Sequence, residues 1–249
     1  MTSSEEVDFG YERVPAEEKV HRVGEVFSSV ARRYDLMNDL MSVGLHRLWK
    51  RQALRLIGAR AGQQVLDLAA GTGDLSIGLA RDVGRSGQVV VSDINAAMLE
   101  EGRDRILNEG LTGNLDFVIA DAEQLPFPPR SFDRISIAFG LRNVTRIPRA
   151  LAAMREALRP GGKLVVLEFS QLYVPPLQPL YDLYSFQLLP LMGRLVANDA
   201  DSYRYLAESI RLHPDQDTLQ SLMEEAGFED CGYINLSGGI VALHHGHVY

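Results

Sequence analysis

Two apolar strands constrain this chain more than any other feature, one running into a glycine turn and the next ending on a carboxylate. The first is Val65-Leu66-Asp67-Leu68-Ala69-Ala70-Gly71-Thr72-Gly73-Asp74, and the second is Val89-Val90-Val91-Ser92-Asp93. Set side by side, they form the opening half of a Rossmann-like nucleotide site. Glycines admit a ligand close to the backbone, and a carboxylate about 20 residues further on takes ribose hydroxyls. A dinucleotide fingerprint needs a third glycine three residues after the second, where this chain has Ser76. Asp67 and Asp74 crowd further acid around the turn, a poor setting for a pyrophosphate. An adenosine that carries positive charge fits better, and S-adenosylmethionine has both a sulfonium and an amino group. Gly71 and Gly73 then face the methionine portion, Thr72 offers a hydroxyl and an amide, and Asp93 holds the ribose. The bland alternative is a tight strand-to-helix turn with no ligand.

Further apolar, β-branched runs at 115–120, 133–139 and 163–169 alternate with helical patterns at 95–108 and 147–158, which specifies a parallel sheet covered on both faces. Asn95 is placed to cap the first of those helices. Two closing strands at 229–236 and 239–248 follow a helix that Gly227 stops, giving a seven-stranded, mostly parallel sheet with a final antiparallel hairpin. Residues 1–14 read as a flexible polar tail. Helical patterns at 17–34 and 46–57 within residues 15–60 read as an N-terminal cap over the site, and 171–212 as an apolar lid or insert. A third strand end carries Asp121-Ala122-Glu123, where Asp121 can accept from the adenine amino group and Ala122 can offer its main-chain amide.

Composition narrows the function classes. A net charge of −8 argues against nucleic acid, whose phosphates need clustered Lys and Arg. The single cysteine, Cys231, excludes an internal disulfide and suits a reducing, cytoplasmic setting. No apolar run reaches the roughly 18 residues that span a bilayer. No metal is indicated, because His244, His245 and His247 sit along one strand rather than in ligand spacing.

The stretch from Tyr34 to Trp49, with Tyr34, Asp35, Asn38, Ser42 and His46 in a connector ahead of the first strand, resembles the N-terminal signature of the ubiquinone/menaquinone biosynthesis C-methyltransferases. Arg155 to Ser170 is similar to their second signature, and Phe139-Gly140-Leu141-Arg142-Asn143-Val144 to their hallmark after the fourth strand of the sheet. Asn198 to Ile210, with His213-Pro214-Asp215-Gln216, resembles the proteobacterial members that serve both quinone pathways. The resemblance implies a Rossmann-like class I methyltransferase over 61–249 with S-adenosylmethionine as cofactor, contacted by Thr72, Asp93, Asp121 and Ala122. Some members have Asn in place of Asp121, and some bind through a Ser where this chain has Ala138, so no hydroxyl contact is expected there.

The resemblance also implies methylation of a ring carbon in a polyprenylated quinol. Such a carbon attacks well only when a ring oxygen loses its proton. Bringing a phenol from a pKa of about 10 to 7 takes about 4 kcal/mol. Arg142, just past a strand end, is the expected stabiliser of that oxygen. His46 or Asp35 is the expected base, and Tyr34 lines the ring pocket. The apolar segment Leu172 to Val196 reads equally as a lid for the isoprenoid tail that touches the membrane surface, as core, or as the face of a homodimer. Two other readings stand beside this one. One is a small-molecule O- or N-methyltransferase on the same fold. The other is a non-catalytic scaffold of a quinone-synthesis complex.

Overall fold

A computed structural model describes residues 5–30, 38, 39, 42–173, 176 and 200–249. Its centre is a seven-stranded sheet built from β3 (Gln64–Leu68), β4 (Gln88–Asp93), β5 (Leu115–Ile119), β6 (Phe132–Ala138), β7 (Leu158–Phe169), β8 (Glu229–Leu236) and β9 (Val241–Val248). The spatial order is β5-β4-β3-β6-β7-β9-β8. Neighbours from β5 to β7 are parallel, and β9 runs antiparallel to both β7 and β8. The order reverses between β3 and β6, and ligands of open α/β sheets lie in the crevice beyond the strand ends at such a switch point.

Each central strand is apolar on both faces because helices, among them α3 (Asp74–Val83) and α5 (Ile147–Ala157), cover both. Leu66 and Leu68 of β3 join Ile135, Leu164, Met154 and Met223 in one layer, while Val65 and Val165 join Ala53, Leu79, Tyr203 and Leu243 in the other. Asn95 caps α4 (Ala96–Asn108) as its sequence position indicates, its side chain accepting from the backbone N–H groups of Ala97 and Met98. Its Nδ2 donates to Gly24 O and Ser28 Oγ, both at 2.9 Å, and so ties α1 (Ala16–Val30) to the sheet edge.

Two N-terminal expectations need correction. The stretch expected as a loose tail holds a hairpin, β1 (Glu6–Phe9) paired antiparallel with β2 (Glu12–Pro15). Val14 is buried, and the Phe9 ring stacks on Tyr205 with centroids 4.3 Å apart. Of the two cap helices only α1 overhangs the cleft. The second, α2 (His46–Ile57), is a layer of the main core, with Trp49, Ala53 and Ile57 buried against the sheet. Within the segment expected as an insert, α6 (Ala200–Leu212) likewise gives Tyr203, Leu206 and Ile210 to the core. Most of Leu172 to Val196 lies outside the described residues.

Candidate active site

The glycine turn leaves β3 through Ala69, Gly71 and Gly73, all at positive φ. For Ala69 that conformation is costly, as it is for Phe139 at the matching end of β6. The two strained residues face one another across the switch point and both line a cleft of about 840 Å³, its open mouth included.

Asp93, at the end of β4, lines this cleft and is 8% exposed. Its Oδ2 accepts from Gly71 N and its Oδ1 from Asn95 N, both at 2.9 Å. Burial pushes its pKa up, and these main-chain N–H groups oppose the rise. The carboxylate therefore holds the glycine turn in place while presenting its remaining lone pairs to the cleft. Asp121, Ala122 and Glu123 line the adenine end expected from the third strand, and Asp121 Oδ1 accepts from Glu123 N at 2.9 Å. Asn143 and Phe27 close the cleft from the turn after β6 and from α1. Among the described residues that line it, every charged side chain is a carboxylate: Asp93, Asp121 and Glu123.

Other residues singled out in the sequence are placed differently. Thr72 and Gly73 are not among the residues that line the cleft. Thr72 Oγ1 accepts from Arg105 at 3.4 Å, and Gly73 packs so closely on α4 that a Cβ there would lie 2.7 Å from Ile106 Cδ1. Asp67 takes hydrogen bonds from Ser76 and Ser136 beneath the turn, and burial pushes its pKa up to about 6. The serine that breaks the dinucleotide pattern is thus the partner of the buried Asp67. Asp74 pairs with Lys50 and Arg105, each at 2.8 Å, instead of facing a ligand. His46 is buried and bonded through Nδ1 to Ser42 Oγ at 2.8 Å; it does not border the cleft, and burial with nearby Lys50 pushes its pKa down. Tyr34 and Asp35 lie outside the described residues.

Arg142 requires the largest revision. Its side chain is 3% exposed and pairs at 2.9 Å with Glu168, itself 1% exposed. The guanidinium also donates to Phe139 O, and Arg142 N donates to Glu168 Oε2 at 3.2 Å. Arg142 thus locks the turn Leu141–Asn143 onto the end of β7 rather than facing the cleft. Glu168 was missed in the sequence because its partner is 26 residues away on a neighbouring strand end. Only the parallel register of β6 and β7, which pairs Ala138 with Leu167, brings the two together.

Gly102, in the middle of α4, permits the close approach of helix and turn: a Cβ there would lie 2.6 Å from Gly71 O. Alanine normally stabilises a helix interior relative to glycine by about 1 kcal/mol. Here the backbone contact reverses the sign, so Gly102→Ala is expected to lower both Tm and S-adenosylmethionine affinity. Thermal melts and calorimetry check this, and a raised Tm with unchanged affinity would contradict it.

The switch-point cleft, lined by the Asp93 carboxylate and set in this sheet order, gives the chain a Rossmann-like architecture. Solved structures agree on the fold. A SAM-dependent methyltransferase of Thermotoga maritima superposes with a TM-score of 0.64 at 18% identity, covering 90% of this chain and 99% of that one. One from Aquifex aeolicus superposes at 0.59 and 17% identity, covering 80% and 89%. The ubiE/COQ5 methyltransferase family model matches residues 15–248. The ubiquinone/menaquinone biosynthesis C-methyltransferase UbiE of Marinomonas sp. is 60% identical over 239 residues, 96% of this chain and 95% of its own length. Its counterpart in Cellvibrio japonicus is 58% identical over 246 residues, 99% of both. The chain belongs to the ubiE/COQ5 methyltransferase family.

Proposed function

We propose that this chain is an S-adenosylmethionine-dependent C-methyltransferase of ubiquinone and menaquinone biosynthesis. Its acceptors in this reading are demethylmenaquinol and 2-methoxy-6-polyprenyl-1,4-benzoquinol. The observation that carries the cofactor assignment is the acidic lining of the cleft: Glu123 is paired with Arg146, and Asp93 and Asp121 suit a cationic nucleoside better than a pyrophosphate. The acceptor assignment rests on the near-full-length relatives.

In this reading Asp93 takes the two ribose hydroxyls, Asp121 and the Ala122 amide take the adenine edge, and the main chain at Gly71 packs on the methionine portion. When bound, the cofactor supplies an electrophilic methyl group. The protein must then orient the quinol ring and favour loss of a phenolic proton. Arg142 is committed to Glu168, so the donor closest to hand is the next residue, Asn143, which does border the cleft. Its amide donates to the ring oxygen as negative charge gathers there. With His46 held by Ser42 away from the cleft, Asp35 is the proposed base and Tyr34 the proposed ring contact.

The polyprenyl tail places the acceptor in a bilayer. Peripheral contact with the inner membrane face belongs to the same proposal, with Leu172 to Val196 receiving the tail. No helix among the described residues is long and apolar enough to cross a membrane.

Cells that lack this protein should accumulate both demethylmenaquinone and the unmethylated benzoquinone, as read by mass spectrometry of lipid extracts. Wild-type profiles of both quinones would refute the assignment.

A further inference from the structure

Asn143 borders the cofactor cleft, and one hydrogen bond determines which end of its amide a ligand meets. The Tyr205 hydroxyl on α6 donates to Asn143 Oδ1 at 3.1 Å. A phenolic hydroxyl has one proton and an amide oxygen can only accept. With the Tyr205 hydroxyl as donor, the carbonyl of Asn143 faces Tyr205, and Nδ2 is the end of the amide not engaged there. Tyr205 is 5% exposed, and burial pushes its pKa up to about 12, so the donor proton stays in place across the working range.

The N-terminal hairpin holds Tyr205 from the other side. Phe9 stacks on its ring with planes 18° apart, and Tyr11 N donates to Glu208 Oε2 at 3.1 Å one turn further along α6. Gly10 sits so close to Glu208 Oε2 that a Cβ there would displace it. The N-terminal hairpin is thus connected to the cleft through one aromatic ring and one hydroxyl.

We propose that Tyr205 is a positioning residue for methyl transfer: it fixes the Asn143 amide with its N–H donors toward the acceptor oxygen, and the N-terminal hairpin clamps Tyr205 to that task. The acceptor in this statement is the quinol of the proposed function. Tyr205→Phe keeps the ring and its stack on Phe9 and removes only the hydroxyl.

With a short-tailed demethylmenaquinol, kcat should fall about tenfold, the scale of one lost hydrogen bond that sets a reacting geometry. The S-adenosylmethionine Kd should stay within about twofold and Tm should barely move. In an Asn143→Ala background, Tyr205→Phe should add nothing, because the two act through one bond. The side-chain amide resonances of Asn143 should shift in Tyr205→Phe whether or not any turnover is measured.

Wild-type kcat in Tyr205→Phe, independent losses in the double variant, a defect confined to cofactor affinity, or unmoved amide resonances would each overturn the proposal. If the wild-type protein itself moves no methyl group to the quinol, the functional reading fails instead, and the amide resonances still decide the orientation of Asn143.

Discussion

Replacing Asp93 with alanine weakens S-adenosylmethionine binding by at least about tenfold. Hydrogen bonds to a charged group contribute about 1.5–3 kcal/mol, and 1.4 kcal/mol is a factor of ten. Asp93 also anchors the site: each of its oxygens accepts a main-chain N–H, from Gly71 on one side and Asn95 on the other. The alanine variant loses the ligand bonds and frees the glycine turn together. Asp93→Asn keeps the shape but must turn an NH2 toward one of those two N–H donors, so it too binds weakly. Calorimetric titration checks both variants. Unchanged affinity in either would remove Asp93 from the ribose role.

Glu168→Ala should be the most destabilising single change near the site. It leaves the Arg142 guanidinium buried without its counter-charge and strips acceptors from Arg142 N and Phe169 N. Breaking a buried pair on one side costs about 3–5 kcal/mol. For a chain of this size that lowers Tm by about 10 °C. Replacing both partners by apolar residues, Arg142→Met with Glu168→Leu, should recover part of the loss, since the unpaired buried charge disappears while the main-chain N–H groups of residues 142 and 169 still lack their acceptor. The double variant also separates the two roles open to Arg142. Recovered stability with recovered turnover fits a lock on the turn, whereas recovered stability without turnover would return Arg142 to the acceptor oxygen. Thermal melts and methyl-transfer rates on the same preparations decide between them.

The sheet was legible because each strand is a short apolar run between turn residues. The run read from Val89 to Asp93 is Gln88–Asp93 in the structure, and the antiparallel closing pair is present as expected. Gly71, Asp93, Asp121 and Ala122 were legible as one site for a related reason. Parallel strands deliver the residues that follow them to the same edge. The family resemblance read from the signatures is borne out by the match over residues 15–248. The hairpin at the start was not legible. Its strands are four residues each and rich in charge, and what orders them is a partner helix 197 residues away at Tyr11 and Glu208. The pairing of Arg142 was not legible for a similar reason, since a strand-end arginine looks the same whether it meets a ligand or a buried glutamate on the neighbouring strand. Thr72 shows the remaining limit. Its place in the turn is local, but the direction of its hydroxyl is set by Arg105 on α4.

The proposed reaction is transfer of a methyl group to a ring carbon of a quinol. It is tested most directly by incubating the purified protein with reduced, short-tailed demethylmenaquinol and S-adenosylmethionine labelled with carbon-13 in the methyl group, then locating the label by NMR. A single labelled methyl bonded to the quinone ring carbon is expected, formed by the wild type and strongly reduced in Asp93→Ala. Label on a ring oxygen, or no transfer by a protein that demonstrably binds the cofactor, would contradict it.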